Sequence, residues 1–142
     1  MNETPEVTQD YPPAGGPVVA VGIDLTGIPE LRSAVKEFGE GYLRRIFTSA
    51  ELSYCLATAD PMAHLATTWA AKEATIKACG LADMQAPWHD IEVERQPNQV
   101  CRIHLGEPAA EAAGGRGIGH LSVSLSYEGD LATAIVVATG PQ

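Results

Sequence analysis

The first stretch of the chain has no hydrophobic period. Residues 1–16 are polar and punctuated by Pro5, Pro12, Pro13, Gly15 and Gly16, the composition of a disordered extension, which leaves 17–142 as a single domain. The apolar, β-branched run Val18-Val19-Ala20-Val21-Gly22-Ile23 ends in Asp24 and predicts a strand covered on both faces. Pro29 near a first turn, with Leu31, Val35 and Phe38 on one face, predicts a helix that Gly39 stops. A short helix is expected over 42–46. Thr48-Ser49-Ala50-Glu51 then has the spacing of a capping box.

The clearest helix is predicted over 61–79. Asp60 suits its N-cap, Pro61 its first position and Gly80 its left-handed end. Its apolar stripe of Met62, Leu65, Trp69 and Ile76 is interrupted at Lys72 and Glu73, and Glu73 shares a face with Trp69 and Lys77. Ile91 and Val93, then Cys101, Ile103 and Leu105, alternate with polar residues on either side of a turn at 96–99 and predict a hairpin. An alanine-rich helix is expected over 108–113, ending at Gly114-Gly115. Leu121, Val123 and Leu125 alternate with Ser122, Ser124 and Ser126, and Glu128-Gly129-Asp130 turns into a last strand over 131–138. The order predicts an α+β domain with helices packed on a mainly antiparallel sheet.

Composition narrows the function classes. The 142 residues, 45% hydrophobic and 19% charged, suffice for one core without disulfides or a structural metal. Cys55, Cys79 and Cys101 have no metal-ligand spacing and read as reduced thiols of a cytosolic protein. No apolar run is long enough to span a membrane, and the start lacks a signal pattern, so a cytoplasmic protein is expected. A net charge of −9 argues against non-specific nucleic-acid binding, which needs lysine and arginine to neutralise phosphates.

Two carboxylates stand where unpaired charge is costly: Asp24 at a strand end and Glu73 on a core-facing stripe. A shared divalent cation accounts for both, since magnesium takes one or two carboxylates plus phosphate oxygens and water. The structural alternative has Asp24 capping the next helix and Glu73 paired with Lys72 or Lys77. Lys72 and Lys77 are candidates to neutralise a phosphate, or else solvated helix charges. His120, beside the serine alternation, is a candidate phosphate ligand or a partly buried structural histidine. The serines read as a polar strand face. The sequence contains no nucleophile–histidine–acid triad, glycine-rich phosphate loop or zinc motif.

Together these segments resemble the holo-acyl-carrier-protein synthase family of phosphopantetheinyl transferases. Gly22-Ile23-Asp24-Leu25 is similar to its G-I-D motif, and Phe47-Thr48-Ser49-Ala50-Glu51-Leu52 to its F-T-x-x-E-L segment. Trp69-Ala70-Ala71-Lys72-Glu73-Ala74, followed by Lys77 and Gly80, resembles W-A-A-K-E-A-x-x-K-A-x-G. Trp88-His89-Asp90-Ile91-Glu92-Val93 and His120-Leu121-Ser122-Val123-Ser124 resemble later segments in the same order. The resemblance spans 18–138. It implies a compact α+β subunit that forms a homotrimer, with coenzyme A (CoA) in clefts between neighbouring subunits. It assigns Asp24 and Glu73 to magnesium, Lys72 and Lys77 to phosphate charge, and His120 and Gly80 to the CoA site. The implied reaction moves the phosphopantetheine arm of CoA to a serine of an apo acyl carrier protein and releases 3′,5′-ADP, with Glu73 or a metal-bound water as general base. Such chemistry needs mainly positioning and charge stabilisation.

The chain also departs from the family pattern. Leu125 stands where a second histidine is frequent, Gly27 replaces the usual acid after G-I-D, and Gly80-Leu81-Ala82-Asp83 alters the loop after the signature helix. Glu30 lies where basic residues usually dock an acidic carrier, leaving Arg32, Lys36, Arg44 and Arg45 as the docking candidates. Three readings therefore stand: a transferase serving one carrier of a specialised fatty-acid or polyketide pathway, an accessory protein that binds a carrier or its pantetheine arm, and an enzyme acting on a carrier-bound substrate.

Overall fold

The computed structural model describes residues 15–85, 87–97 and 100–141. It is α+β, as the periodicity predicts. Its elements are β1 (Val18–Gly27), α1 (Ile28–Ile46), α2 (Ser49–Leu56), α3 (Pro61–Cys79), a 3-10 turn (Pro87–Asp90), β2 (Ile91–Arg95), β3 (Cys101–Leu105), α4 (Glu107–Gly115), β4 (His120–Glu128) and β5 (Leu131–Thr139). All strand pairing is antiparallel, but in two sheets rather than one: β1-β5-β4 and the hairpin β2-β3.

Helix α3 is the axis of the fold. The Asp60 carboxylate accepts the Ala63 N–H at its start, and Gly80 closes its end at φ 67°, ψ 41°. Small residues let the helix approach the sheet closely. Ala70, Ala71, Ala74 and Ala78 meet Ala134 and Val136 of β5 in one buried cluster. Gly22 of β1 lies so near α3 that a Cβ there would collide with the Ala74 carbonyl. The residue two positions on, Asp24, shares that inner face of β1 and is carried against the same helix.

Local signals at the other helices are equally explicit. Thr48 and Glu51 make the reciprocal capping box at the start of α2. Gly39, at φ 75° and ψ −162°, breaks α1 internally, so the two predicted helices form one kinked element. The kink turns Phe38 out of the expected apolar face: its ring is exposed and meets Tyr42 at 5.6 Å. Leu31 remains buried as expected.

The first strand differs from expectation on one side. Its inner face packs on α3, but Val21, Ile23 and Leu25 on the other face are 55%, 57% and 67% exposed. Leu131 and Ile135 of β5 extend that apolar surface. Alternation cannot distinguish a strand covered by its own chain from one awaiting a partner.

Residues 1–14, most of the predicted extension, lie outside the described residues, as do Asn98 and Gln99 of the predicted turn. Gly16 already pairs with the end of β5, its N–H donating to Gly140 O at 2.7 Å. Cys55 and Cys79 are buried and unbridged, and burial pushes the Cys79 thiol up to about 11, so it is unreactive at neutral pH.

Candidate active site

Asp24 and Glu73 line one cavity of about 400 Å³, with Thr26, Gly27, Glu30, Leu31, Tyr42 and Trp69 around them. The cavity is bounded by the end of β1, the start of α1 and the middle of α3. The two acids, almost fifty residues apart in sequence, are brought together by the small-residue contact between β1 and α3.

The two carboxylates are not equivalent. Asp24 is held on both oxygens: Thr26 Oγ1 donates to Oδ2 at 2.8 Å and Lys77 Nζ to Oδ1 at 3.1 Å. Lys77 also donates to Ile23 O at 2.9 Å. Among the described residues Glu73 has no hydrogen bond or ion pair. Its pKa is raised, first by burial and second by the Asp24 charge, with Lys77 partly opposing both. Neither structural alternative holds. Helix α1 starts at Gly27 without a side-chain cap, so Asp24 does not cap it. Glu73 pairs with neither lysine.

Lys72 corrects the expectation that it carries phosphate charge. Its side chain is fully buried, and all three ammonium protons are committed: to Glu51 Oε1 at 2.9 Å, Trp88 O at 2.6 Å and Ile91 O at 2.5 Å. Burial lowers its pKa, and the Glu51 charge acts against that. Glu51 accepts in addition from Thr48 N and, through Oε2, from Val93 N at 2.7 Å. This cluster fastens α3, α2 and β2 together and leaves no donor for a ligand. Sequence reasoning found the capping role of Glu51 but not this pairing.

The remaining candidates are dispersed. His120 is half-buried and lies opposite Thr139, whereas Asp24 lies opposite Ala134, five residues away on β5 and two strands across the sheet. At about 3.3 Å per residue and 4.8 Å per strand, that is roughly 19 Å within one chain. Gly80 is explained by its left-handed cap, and the Arg116 guanidinium lies so close over it that a Cβ would collide. Arg32, Lys36, Arg44 and Arg45 are all exposed on α1, with Arg44 in a solvated pair with Glu40 at 3.4 Å.

A larger cavity of about 610 Å³ lies elsewhere, lined by Tyr54, His64, Thr67, Arg95 and Tyr127 among others. Arg95 donates to Thr67 Oγ1 at 2.7 Å and lies over the Tyr54 ring at 5.0 Å. Sequence reasoning missed it because its walls come from separate elements with no shared motif.

The donor chemistry at Asp24 and Glu73 fits magnesium: hard carboxylate oxygens, one of them unpartnered, in a cavity with room for phosphate and water. Among the described residues no three acidic, histidine or cysteine side chains converge as a complete metal ligand set. Such a site needs oxygens from another molecule. Among the described residues, too, no helix is long and apolar enough to cross a membrane.

The holo-[acyl-carrier-protein] synthase of Desulforudis audaxviator is 38% identical over 124 residues, covering 87% of this chain and 95% of that protein. The crystal structure of the Neisseria meningitidis enzyme of the same name superposes with a TM-score of 0.77 at 28% identity, covering 85% of this chain and 98% of the other. The Helicobacter pylori enzyme, solved in complex with coenzyme A, gives a TM-score of 0.72 at 26% identity, covering 84% and 99%. The model of the 4′-phosphopantetheinyl transferase superfamily matches residues 20–136, and the chain belongs to that superfamily as a member of its holo-acyl-carrier-protein synthase family.

Proposed function

We propose that this chain transfers the 4′-phosphopantetheine arm of CoA to a serine of an apo acyl carrier protein, releasing 3′,5′-ADP, and that it does so with magnesium held by Asp24 and Glu73. One observation carries the magnesium reading: Glu73 is a half-buried carboxylate with no partner, its charge disfavoured by burial and by Asp24. A cation held by Asp24 and Glu73 would remove both penalties. Bound there, magnesium would supply charge neutralisation for the pyrophosphate and the departing 3′,5′-ADP.

The chain's own residues supply the rest. Asp24 and Glu73 would hold the cation, and Thr26 holds the Asp24 carboxylate in place. Lys77, half-exposed and paired with Asp24, is the lysine that would carry phosphate charge. The serine oxygen attacks the pantetheine-side phosphorus, the bond from that phosphorus to the bridging oxygen breaks, and ADP leaves with the electron pair. The serine proton would pass to Glu73 or to a water held beside it in the cavity.

The finer reading is a homotrimer with CoA between subunits. The apolar outer face of β1 and β5 supports self-association, because a patch of Val21, Ile23, Leu25, Leu131 and Ile135 is costly in water. The separation of His120 from Asp24 supports a shared cleft, in which the histidine of one subunit serves nucleotide phosphates held by its neighbour. Gly80 and the altered loop after it would border the same cleft. The exposed bases Arg32, Lys36, Arg44 and Arg45 are the proposed carrier-docking surface, and the setting is cytoplasmic. Light scattering with CoA present should give three chains per particle; a stable monomer would remove the shared cleft.

The direct test is incubation of an apo carrier protein with the chain, CoA and magnesium, read as the carrier's mass. A gain of one phosphopantetheinyl group, absent with Glu73→Ala, is expected. An unmodified carrier under every condition would favour the accessory-protein reading.

A further inference from the structure

The cavity of about 610 Å³ is built around Arg95 at the end of β2 and shares no residue with the cavity of Asp24 and Glu73. The Arg95 guanidinium is half-buried and fixed by neutral acceptors. It donates to Thr67 Oγ1 at 2.7 Å, His64 O at 3.4 Å and Cys55 Sγ at 3.5 Å. Three of its five N–H groups are thus placed, and two remain. Among the described residues no carboxylate pairs with it, in a chain with eighteen acidic residues and nine basic ones. A guanidinium held still, partly desolvated and without a counter-charge is matched to an anionic ligand. Rings line the wall beside it. Tyr54, His64 and Tyr127 follow one another with centroids 6.0 and 5.8 Å apart, and Arg95 covers the Tyr54 ring at 5.0 Å. Both tyrosines are 43% exposed, so each keeps surface on which a planar group can stack.

We infer that Arg95 reads the 3′-phosphate of CoA and so sets this chain's preference for CoA over dephospho-CoA. This rests on the transferase and shared-cleft readings above. A fixed fork of N–H donors beside open aromatic faces suits a phosphate attached to a nucleoside, the chemistry of the adenosine end of CoA. Leu125, on the same wall, offers no donor, so recognition of the anion there falls to Arg95. Leu125 also stands in one cross-strand row with Asp24, through Ala134 of β5, and α3 packs on β5 between them. The two cavities therefore flank α3 within one chain. The Arg95 cavity serves a nucleotide whose pyrophosphate is held at Asp24 and Glu73 of a neighbouring subunit.

Removing the phosphate and removing the arginine test the same contact from both sides. CoA and dephospho-CoA are titrated calorimetrically, with magnesium present, into the parent, Arg95→Gln and Arg95→Lys. The parent should favour CoA by about 10- to 100-fold, the range of a hydrogen bond to a charged group. Arg95→Gln should bind CoA no better than dephospho-CoA, with dephospho-CoA affinity at the parent value. Arg95→Lys should fall between, because an ammonium keeps the charge but not the fork. Equal affinity for the two ligands in the parent would overturn the inference without any variant. An equal loss for both ligands in Arg95→Gln would overturn it too, since that is the signature of a purely structural role at Thr67 and Cys55. Slower carrier loading by Arg95→Gln at saturating CoA, with CoA affinity intact, would give the arginine to the carrier instead. A parent that binds neither ligand would overturn the transferase reading and this inference with it.

Discussion

Lys72 and Glu73 are adjacent on one helix and live in opposite circumstances. Lys72 is sealed in the core with every proton placed, and its partner Glu51 is itself saturated by two backbone N–H groups. Glu73 faces a cavity with a second acid beside it and no partner. A charge that serves the fold is satisfied within the chain. A charge kept for a ligand is left unsatisfied until the ligand arrives. The same helix carries both because successive side chains point about 100° apart, so one faces β2 while the other faces β1.

The largest effect should come from breaking the finished side. Lys72→Met leaves Glu51 as an uncompensated buried charge and should cost about 3–5 kcal/mol of stability in urea unfolding. Adding Glu51→Gln should recover part of that loss, since a buried pair replaced together costs far less than one broken. If Lys72→Met melts like the parent but loses CoA affinity, the lysine belongs to the ligand after all.

Glu73→Gln should do the reverse, lowering transfer by about 10²-fold or more while raising thermal stability. The sign follows from its raised pKa. The folded state holds the Glu73 proton more tightly than the unfolded chain, so this group's contribution to stability is full below the ordinary value of 4.5 and falls as pH rises through the folded-state pKa. The melting temperature of Glu73→Gln should therefore exceed that of the parent near neutral pH in metal-free buffer, with the gap closing in acid. An equal or lower melting temperature at neutral pH would mean that Glu73 is not a strained charge.

How much of this contrast the sequence carries depends on distance along the chain. Caps and periods are local: Asp60, Pro61 and Gly80 bound α3, and Thr48 with Glu51 start α2, as their spacing predicts. Asp24 and Glu73 stand out because Asp24 ends an apolar β-branched run and Glu73 interrupts the apolar stripe of its helix. The partner of Lys72 is 21 positions away, and its carbonyl acceptors lie beyond the end of α3, so a lysine beside a glutamate in sequence looks like a ligand residue. The bare face of β1 is hidden too, because one apolar run serves equally a strand covered on both faces and one covered on a single face.

Smaller effects belong to the proposed carrier surface, which neither side of the comparison should feel. Arg32→Glu or Arg44→Glu should slow carrier loading a few-fold, with losses of about 1 kcal/mol or less per exposed charge. Stability and CoA affinity should stay unchanged. Loading should also slow as salt rises, since rim charges act chiefly on association. Charge reversal at Arg32, Lys36, Arg44 and Arg45 together with no change in rate would move the docking face elsewhere.

The central claim is that the unfinished pair is completed by a cation and a pyrophosphate together. Calorimetric titration of CoA with and without magnesium tests it most directly, in the parent, Asp24→Ala and Glu73→Ala. CoA should bind the parent more tightly with magnesium than without, and the gain should vanish in both variants. Equal CoA affinity with and without magnesium in the parent would contradict it.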